Sequence, residues 1–302
     1  MLVSTWRSYL DLQDDQPEAE HGVCYLPELG TLRFSGPDVL NFLQGYLTCD
    51  TVELTPDTLT PTAVCNLKGR VVVTGWCYRH DESAGMHSVI LIMHHSLTER
   101  VAQFFKAYAM FSKTQITNEN DATLVFGGLG NADELGATAG SRGNLIVNNN
   151  QRLLPVSDLT EAKNLWLSRS HTTAEAWWLE LIEASFALIS NATSEAFLPQ
   201  MLDLERVGAV DFDKGCYLGQ EVVARAQHRG QVKKRLQRLE WVGPTAPEPG
   251  ARFGTAENPA RKLATIIASL TNTPGGGVCL AVVANDAPGP FQHHEAVLNR
   301  VR

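Results

Sequence analysis

A single cysteine stands between two glycines in Asp213-Lys214-Gly215-Cys216-Tyr217-Leu218-Gly219-Gln220-Glu221. These residue types at this spacing can support thiol chemistry. The following segment, Glu221 to Gln227, reads as a short helix with Glu221 and Arg225 four residues apart on one face. Cys216 then lies just before a helix N-terminus, where the positive end of the helix dipole and the neighbouring Lys214 both favour a thiolate. Gly215 and Gly219 permit backbone angles that other residues resist, so the loop can turn tightly and approach a ligand. The competing interpretation is a glycine-punctuated loop with a buried, inert cysteine, since free cysteines are among the most buried residue types.

The elements that must position this loop are spread over 302 residues, enough for a large core and about two domains. Hydrophobic content of 44% and charged content of 19% are those of an ordinary globular chain. A net charge of −8 disfavours non-specific binding along nucleic acid. The six cysteines, at 24, 49, 65, 77, 216 and 279, form no CxxC pair. No His/Cys cluster has zinc spacing, and the pairs His94-His95 and His293-His294 lack a third ligand, so no metal site is expected. The N-terminus lacks a secretory core and no run reaches the roughly 20 apolar residues of a membrane span. A cytoplasmic protein with reduced thiols is expected.

In chain order, residues 1–21 read as an acidic lead-in without regular structure. Strand-like runs at 23–26 and 31–34 flank a turn at Pro27–Gly30, and Ser35-Gly-Pro-Asp38 opens a helix. A hairpin around Lys68-Gly69 and a strand at 88–93 follow. Ser96 and Glu99 suggest a capping box for a helix over 96–111. Strands resume at 113–117 and 123–126, giving an α+β layer with a helix on an antiparallel sheet. The glycine-rich stretch 127–143 lacks the lysine and following helix of a phosphate loop and reads as a surface loop. Strands at 145–147 and 152–156 and helices at 157–167 and 173–187 lead to Phe197–Gly208. The basic run Arg229–Arg238 is expected mostly to face solvent. Four strand-like runs at 239–242, 262–270, 277–283 and from 297, separated by Gly/Pro turns, suggest a small barrel or sandwich. The boundary falls near 232.

At 214–221, Lys-Gly-Cys-Tyr-Leu-Gly-Gln-Glu, the chain resembles the YgfZ family, folate-binding relatives of the glycine-cleavage T-protein, and matches its KGCYxGQE signature in full. Phe42-Leu-Gln-Gly45 with Thr48 and Asp50, Asn66–Val73 around Lys68-Gly69-Arg70, Phe197 with Pro199-Gln200, Ala224-Arg225-Ala226 and Arg229-Gly230 resemble further family segments. The resemblance implies a T-protein-like fold of α+β class. Two interleaved α+β subdomains would occupy 1–232, with an insert at roughly 51–126, and a β-barrel 233–302. It implies tetrahydrofolate or a derivative as ligand, in a central channel. It also implies a role as accessory factor for iron–sulfur cluster assembly or repair, with partners among assembly or client proteins and an indirect effect on tRNA modification. Direct tRNA binding and membrane association are not expected.

T-protein relatives that transfer an aminomethyl carbon carry an acid shortly after a similar hairpin glycine. Gly69-Arg-Val-Val-Val-Thr-Gly-Trp76 has none. No carboxylate is then at hand for the folate amine. Catalysis of that transfer is not expected, and Cys216 becomes the functional thiol; the alternative is a folate-dependent one-carbon transferase using another residue. The resemblance also implies candidate ligand contacts. Lys214 either tunes the thiol or binds the folate tail, against a solvated lysine. Tyr217 packs on the pterin or in the core. Gln220 and Glu221 bond the ligand, or Glu221 pairs with Arg225. Arg225 and Arg229 hold glutamyl carboxylates, or are surface charge. Asp203 and Glu205 occupy an L-x-L-E-like setting where relatives carry a pterin-binding acid.

Overall fold

The computed structural model describes residues 1–13, 18–56, 58–81, 87–110, 112–130, 145–230, 232–255, 257–258 and 260–301. In chain order its elements are α1 (Leu2–Leu10), β1 (Glu18–Tyr25), β2 (Leu29–Ser35), α2 (Val39–Gln44), β3 (Thr60–Cys65), β4 (Val71–Asp81) and β5 (His87–His94). Next come α3 (Thr98–Ala109), β6 (Gln115–Asn118), β7 (Leu124–Leu129), β8 (Leu145–Ile146), β9 (Gln151–Val156), α4 (Leu159–Leu167) and α5 (Ala174–Glu183). After a 3-10 turn at Pro199–Leu202 follow α6 (Gln220–Arg229), β10 (Lys234–Val242), β11 (Arg252–Thr255), β12 (Ala264–Thr273), β13 (Gly276–Ala284), β14 (Phe291–His293) and β15 (Ala296–Arg300). No helix among the described residues is long and apolar enough to cross a membrane.

The chain alternates between two compact units. One comprises Met1–Gln44, Thr51–Thr60 and Gly75–Trp177; the other Gly45–Asp50, Pro61–Thr74 and Trp178–Arg302. In the second unit segments distant in sequence are hydrogen-bonded together, as Thr48 is to Ala63 and Ala209.

In the first unit, one antiparallel sheet has the order β1-β7-β9-β8. Its core gathers Val23, Leu124, Phe126, Leu154 and Leu165. Trp6 of α1 is fully buried there, edge-on to Phe126 with centroids 5.2 Å apart. In the other sheet β5 pairs antiparallel with β2 and, from Gly75 onward, with β4, while β2 also pairs with β6. α3 packs on this sheet by Phe105 against Phe34, edge-on at 4.8 Å. Burying each ring contributes about 2–3 kcal/mol, and the edge contact adds about 1 kcal/mol.

In the second unit, β10-β13-β12-β11-β14-β15 closes into an antiparallel barrel. Closure removes the free edges an open sheet would expose. Leu239, Trp241, Phe253, Ile266, Phe291 and Leu298 fill it. A register shift between Ile266 and Ala268 in the β12–β13 pair gives the local bend that closure requires.

Several local expectations are corrected. Residues 1–21 are not an unstructured lead-in: α1 and the start of β1 lie there, held by Trp6 in a core that distant strands supply. The helix expected from Ser96 starts at Thr98 instead, with Leu97 at its N-cap. A 3-10 turn at His95–Leu97 precedes α3, the His94 ring accepts the Ser96 amide at 3.2 Å, and Glu99 accepts from Gln103 at 2.8 Å. Helix α3 ends at Ala109, and Phe111 lies outside the described residues. Gly127 and Gly128 are not surface loop but part of buried β7, where a Cβ on Gly127 would come within 2.6 Å of the Trp177 ring; residues 131–144 lie outside the described residues. The barrel contains two short strands, β11 and β14, that the Gly/Pro-rich text concealed.

Candidate functional site

The loop carrying Cys216 is tied to the backbone of Gly45–Asp50. The Asp211 amide donates to Thr48 O and the Leu218 amide to Gly45 O, each at 2.9 Å. The Asp211 carboxylate accepts the Asp213 and Lys214 amides at 2.8 and 3.2 Å, a side-chain-capped turn typical of aspartate. Lys214 is only 6% exposed. Its Nζ donates to Leu47 O at 2.6 Å and Cys49 O at 2.8 Å, and lies 5.4 Å from the centre of the Tyr217 ring. A buried ammonium requires such acceptors. Lys214 is therefore not a solvated lysine: at least two of its three N–H groups hold the loop to Leu47 and Cys49.

Tyr217 is buried, and its hydroxyl has no hydrogen-bond partner among the described residues. Burial, and secondarily the neighbouring Cys65, push its phenol upward. Cys216 is exposed while the other five cysteines are buried. Burial pushes the thiols of Cys24, Cys65 and Cys279 up to about 12, so these stay protonated.

α6 starts at Gln220, immediately after Gly219, whose φ is +82°. A Cβ on Gly219 would stand 2.3 Å from Asn66 O, so glycine is required where the loop meets the β3–β4 turn. That turn is built by Asn66, whose Oδ1 accepts the Lys68 and Arg70 amides at 2.9 and 3.0 Å and whose Nδ2 donates to Glu195 at 2.7 Å. From the other side Gln200 Nε2 donates to Val223 O at 2.9 Å, fastening the Phe197–Gln200 segment to α6. Stretches separated by well over a hundred residues thus converge on one loop and one helix. Glu221 and Arg225 form an exposed i,i+4 ion pair at 2.6 Å, worth about 0.5 kcal/mol at most in solvent. Gln220 is half-buried at the helix start. The Arg229 side chain lies outside the described residues.

Asp203 and Glu205 line a cleft of about 690 Å³ together with Gln200, Arg206, Gln227 and Arg235. Asp203, in the left-handed region at φ 50°, accepts from Arg235 at 2.9 Å; Glu205 accepts from Gln227 at 2.8 Å. Gln200 Oε1 is buried with no hydrogen-bond partner among the described residues. The candidates therefore fall into two groups: Lys214, Cys216, Tyr217, Gln220, Glu221 and Arg225 on the loop and α6, and Asp203 with Glu205 in the cleft. Gln227, on α6, joins the two. Gln200, Arg206, Gln227 and Arg235 were not singled out from sequence, although Gln200 belongs to a family-like run and Arg235 to the basic run. Among the described residues no three His, Cys, Asp or Glu side chains are grouped to hold a metal ion.

α+β layers followed by a closed barrel define the aminomethyltransferase T fold. The chain is similar to the solved glycine cleavage system aminomethyltransferase T of Bartonella henselae, with a TM-score of 0.69 over 92% of this chain and 84% of that one, at 12% identity. In sequence it is 28% identical over 298 residues to the tRNA-modifying protein YgfZ of Aliivibrio fischeri (strain MJ11), covering 94% of this chain and 92% of the relative. It is 30% identical to the tRNA-modifying protein YgfZ of Cronobacter sakazakii (83% and 81% covered) and to that of Yersinia enterocolitica (86% and 84%). The chain belongs to the YgfZ family. No family model matches it.

Proposed function

We propose that this protein binds tetrahydrofolate or a derivative and serves tRNA modification as an accessory factor for iron–sulfur cluster assembly or repair, with Cys216 as its functional thiol. The observation that carries this reading is the exposure of Cys216 on a loop whose Lys214 and Tyr217 are buried: the complete family motif presents one thiol and uses its neighbours to hold it. An exposed thiolate can act as nucleophile, redox centre or soft-metal ligand. Clusters take about four thiolate ligands, so a cluster at Cys216 would be shared with a partner protein.

The cleft beside α6 suits the folate. At about 690 Å³ it falls in the range of small-molecule sites. Asp203, Glu205 and the buried Gln200 Oε1 are acceptors, and a pterin edge is rich in N–H donors. The absence of an acid between Gly69 and Trp76 speaks against aminomethyl transfer. The fold neighbour is an aminomethyltransferase, so one-carbon transfer is the reading to be separated from this one.

Titration with tetrahydrofolate, followed by tryptophan fluorescence, is expected to give a saturable response between micromolar and millimolar ligand. Cys216→Ala is expected to keep that response yet fail to restore iron–sulfur enzyme activity in a deficient strain. No saturation removes the folate; full rescue removes Cys216. Folate-dependent release of a methyl or aminomethyl carbon would transfer the assignment to a one-carbon transferase.

A further inference from the structure

A second cleft in the same unit, of about 490 Å³, is lined by Glu183, Ser185, Arg206, Gln237, Arg238 and Arg300. The lining holds three arginines and one glutamate. Arg300 is fixed: its Nε donates to Gln237 Oε1 and its Nη2 to Ala287 O, both at 2.8 Å, and it lies 5.7 Å from the Phe291 ring centre. The β10–β15 pairing sets Arg300 opposite Leu239, and the Val301 amide donates to Arg238 O at 3.3 Å, so Arg238 and Arg300 lie one position apart in register on adjoining strands. Among the described residues, the side chains of Arg206 and Arg238 have no hydrogen-bond or ion-pair partner. Charge is also segregated along the chain. Residues 233–302 contain nine Lys/Arg and five Asp/Glu, a net +4 within a protein of net −8.

We infer that this arginine cleft docks the phosphodiester backbone of an RNA. Guanidinium forks match phosphate oxygens in pairs, and a guanidinium already held by Gln237, Ala287 and Phe291 loses little freedom on binding. The acidic net charge, which disfavours RNA, is an average over the whole chain; the barrel has the opposite sign. The choice of tRNA as the RNA rests on the function proposed above, whereas the phosphate chemistry stands without it.

Fluorescence anisotropy of a labelled, unmodified tRNA transcript, with no folate present, tests the inference. Saturable binding is expected, weakening linearly in log–log form from about 50 to about 200 mM salt. Arg206→Ala/Arg238→Ala should weaken it about tenfold or more and reduce the salt slope by about two, one for each phosphate left without its guanidinium. Arg252→Ala/Arg261→Ala removes equal charge from exposed positions of the same barrel outside the cleft, and should change affinity less than about threefold. Absence of binding at about 50 mM salt, or equal weakening in both double variants, overturns the inference. So does retention of a polyglutamylated folate in place of tRNA that disappears with Arg206 and Arg238, since that assigns the cleft to a carboxylate tail. A failed tetrahydrofolate titration leaves these outcomes unchanged.

Discussion

The Lys214 ammonium and the Leu47 carbonyl are 2.6 Å apart across 167 residues of sequence. With Cys49 O as a second acceptor at 2.8 Å, this contact makes the motif lysine a fastener of the loop.

Lys214→Met is therefore expected to act on stability first. It leaves two buried carbonyls without their donor, and hydrogen bonds to a buried charge contribute about 1.5–3 kcal/mol each. Urea denaturation of the full chain should show a loss of about 2–4 kcal/mol. A loss below about 0.5 kcal/mol would mean that the ammonium serves a ligand and not the fold.

Gly219→Ala should be damaging although it adds one methyl group. The added carbon meets Asn66 O at 2.3 Å, and the φ of +82° is strained for any L side chain. We expect about 1–3 kcal/mol of destabilisation, read as a lower Tm, with faster labelling of Cys216 as the loop loosens. An unchanged Tm would show that the β3–β4 turn can retreat without cost.

Thiol labelling under native conditions should modify one cysteine quickly, and all six after unfolding. Cys216→Ala should abolish the fast step. Burial holds Cys24, Cys65 and Cys279 near 12, so raising the pH to about 9 should still leave them unreactive in the folded protein. Two or more fast thiols in wild type would contradict the burial of the other five.

Acid sensitivity should depend in part on His94. Burial first, and the charge of His95 second, lower its ring from the ordinary 6.5 to about 4. The unfolded chain thus takes up a proton that the folded chain resists, so stability is lost as pH falls from about 6.5 to about 4, and this contribution levels off below. His94→Asn keeps an acceptor for the Ser96 amide. It should flatten the pH dependence in that window by on the order of 2 kcal/mol, after discounting for the partly exposed ring. Denaturation curves of both proteins across the window, compared as slopes, decide it; parallel slopes would remove His94 as a contributor.

The repeating apolar pattern and the Gly/Pro turns made the strand-rich C-terminal segment legible, because a half-buried strand shows its period in the residues themselves. The two shortest barrel strands were hidden, since three or four residues carry too little pattern to separate from a turn. At the N-terminus, Trp6 looked like part of an acidic lead-in because the core that buries it comes from β1, β7, β9 and α4, up to about 160 residues away. At Ser96 the helix start was read two residues early, because a 3-10 turn capped by His94 precedes α3.

By itself the sequence determined the family, through eight consecutive motif residues, the missing acid after Gly69, and a cysteine between glycines ahead of a helix. Tertiary structure alone decided which motif residues are buried and which is exposed. Lys214 and Tyr217 are buried and Cys216 is exposed because Gly45–Asp50 and the Asn66 turn close on the loop from elsewhere in the chain. The partition of charge between barrel and remainder is written in the sequence. Its gathering into one arginine cleft required Arg206, Arg238 and Arg300 to meet in space, and such meetings follow from long-range strand pairing, which no local pattern encodes.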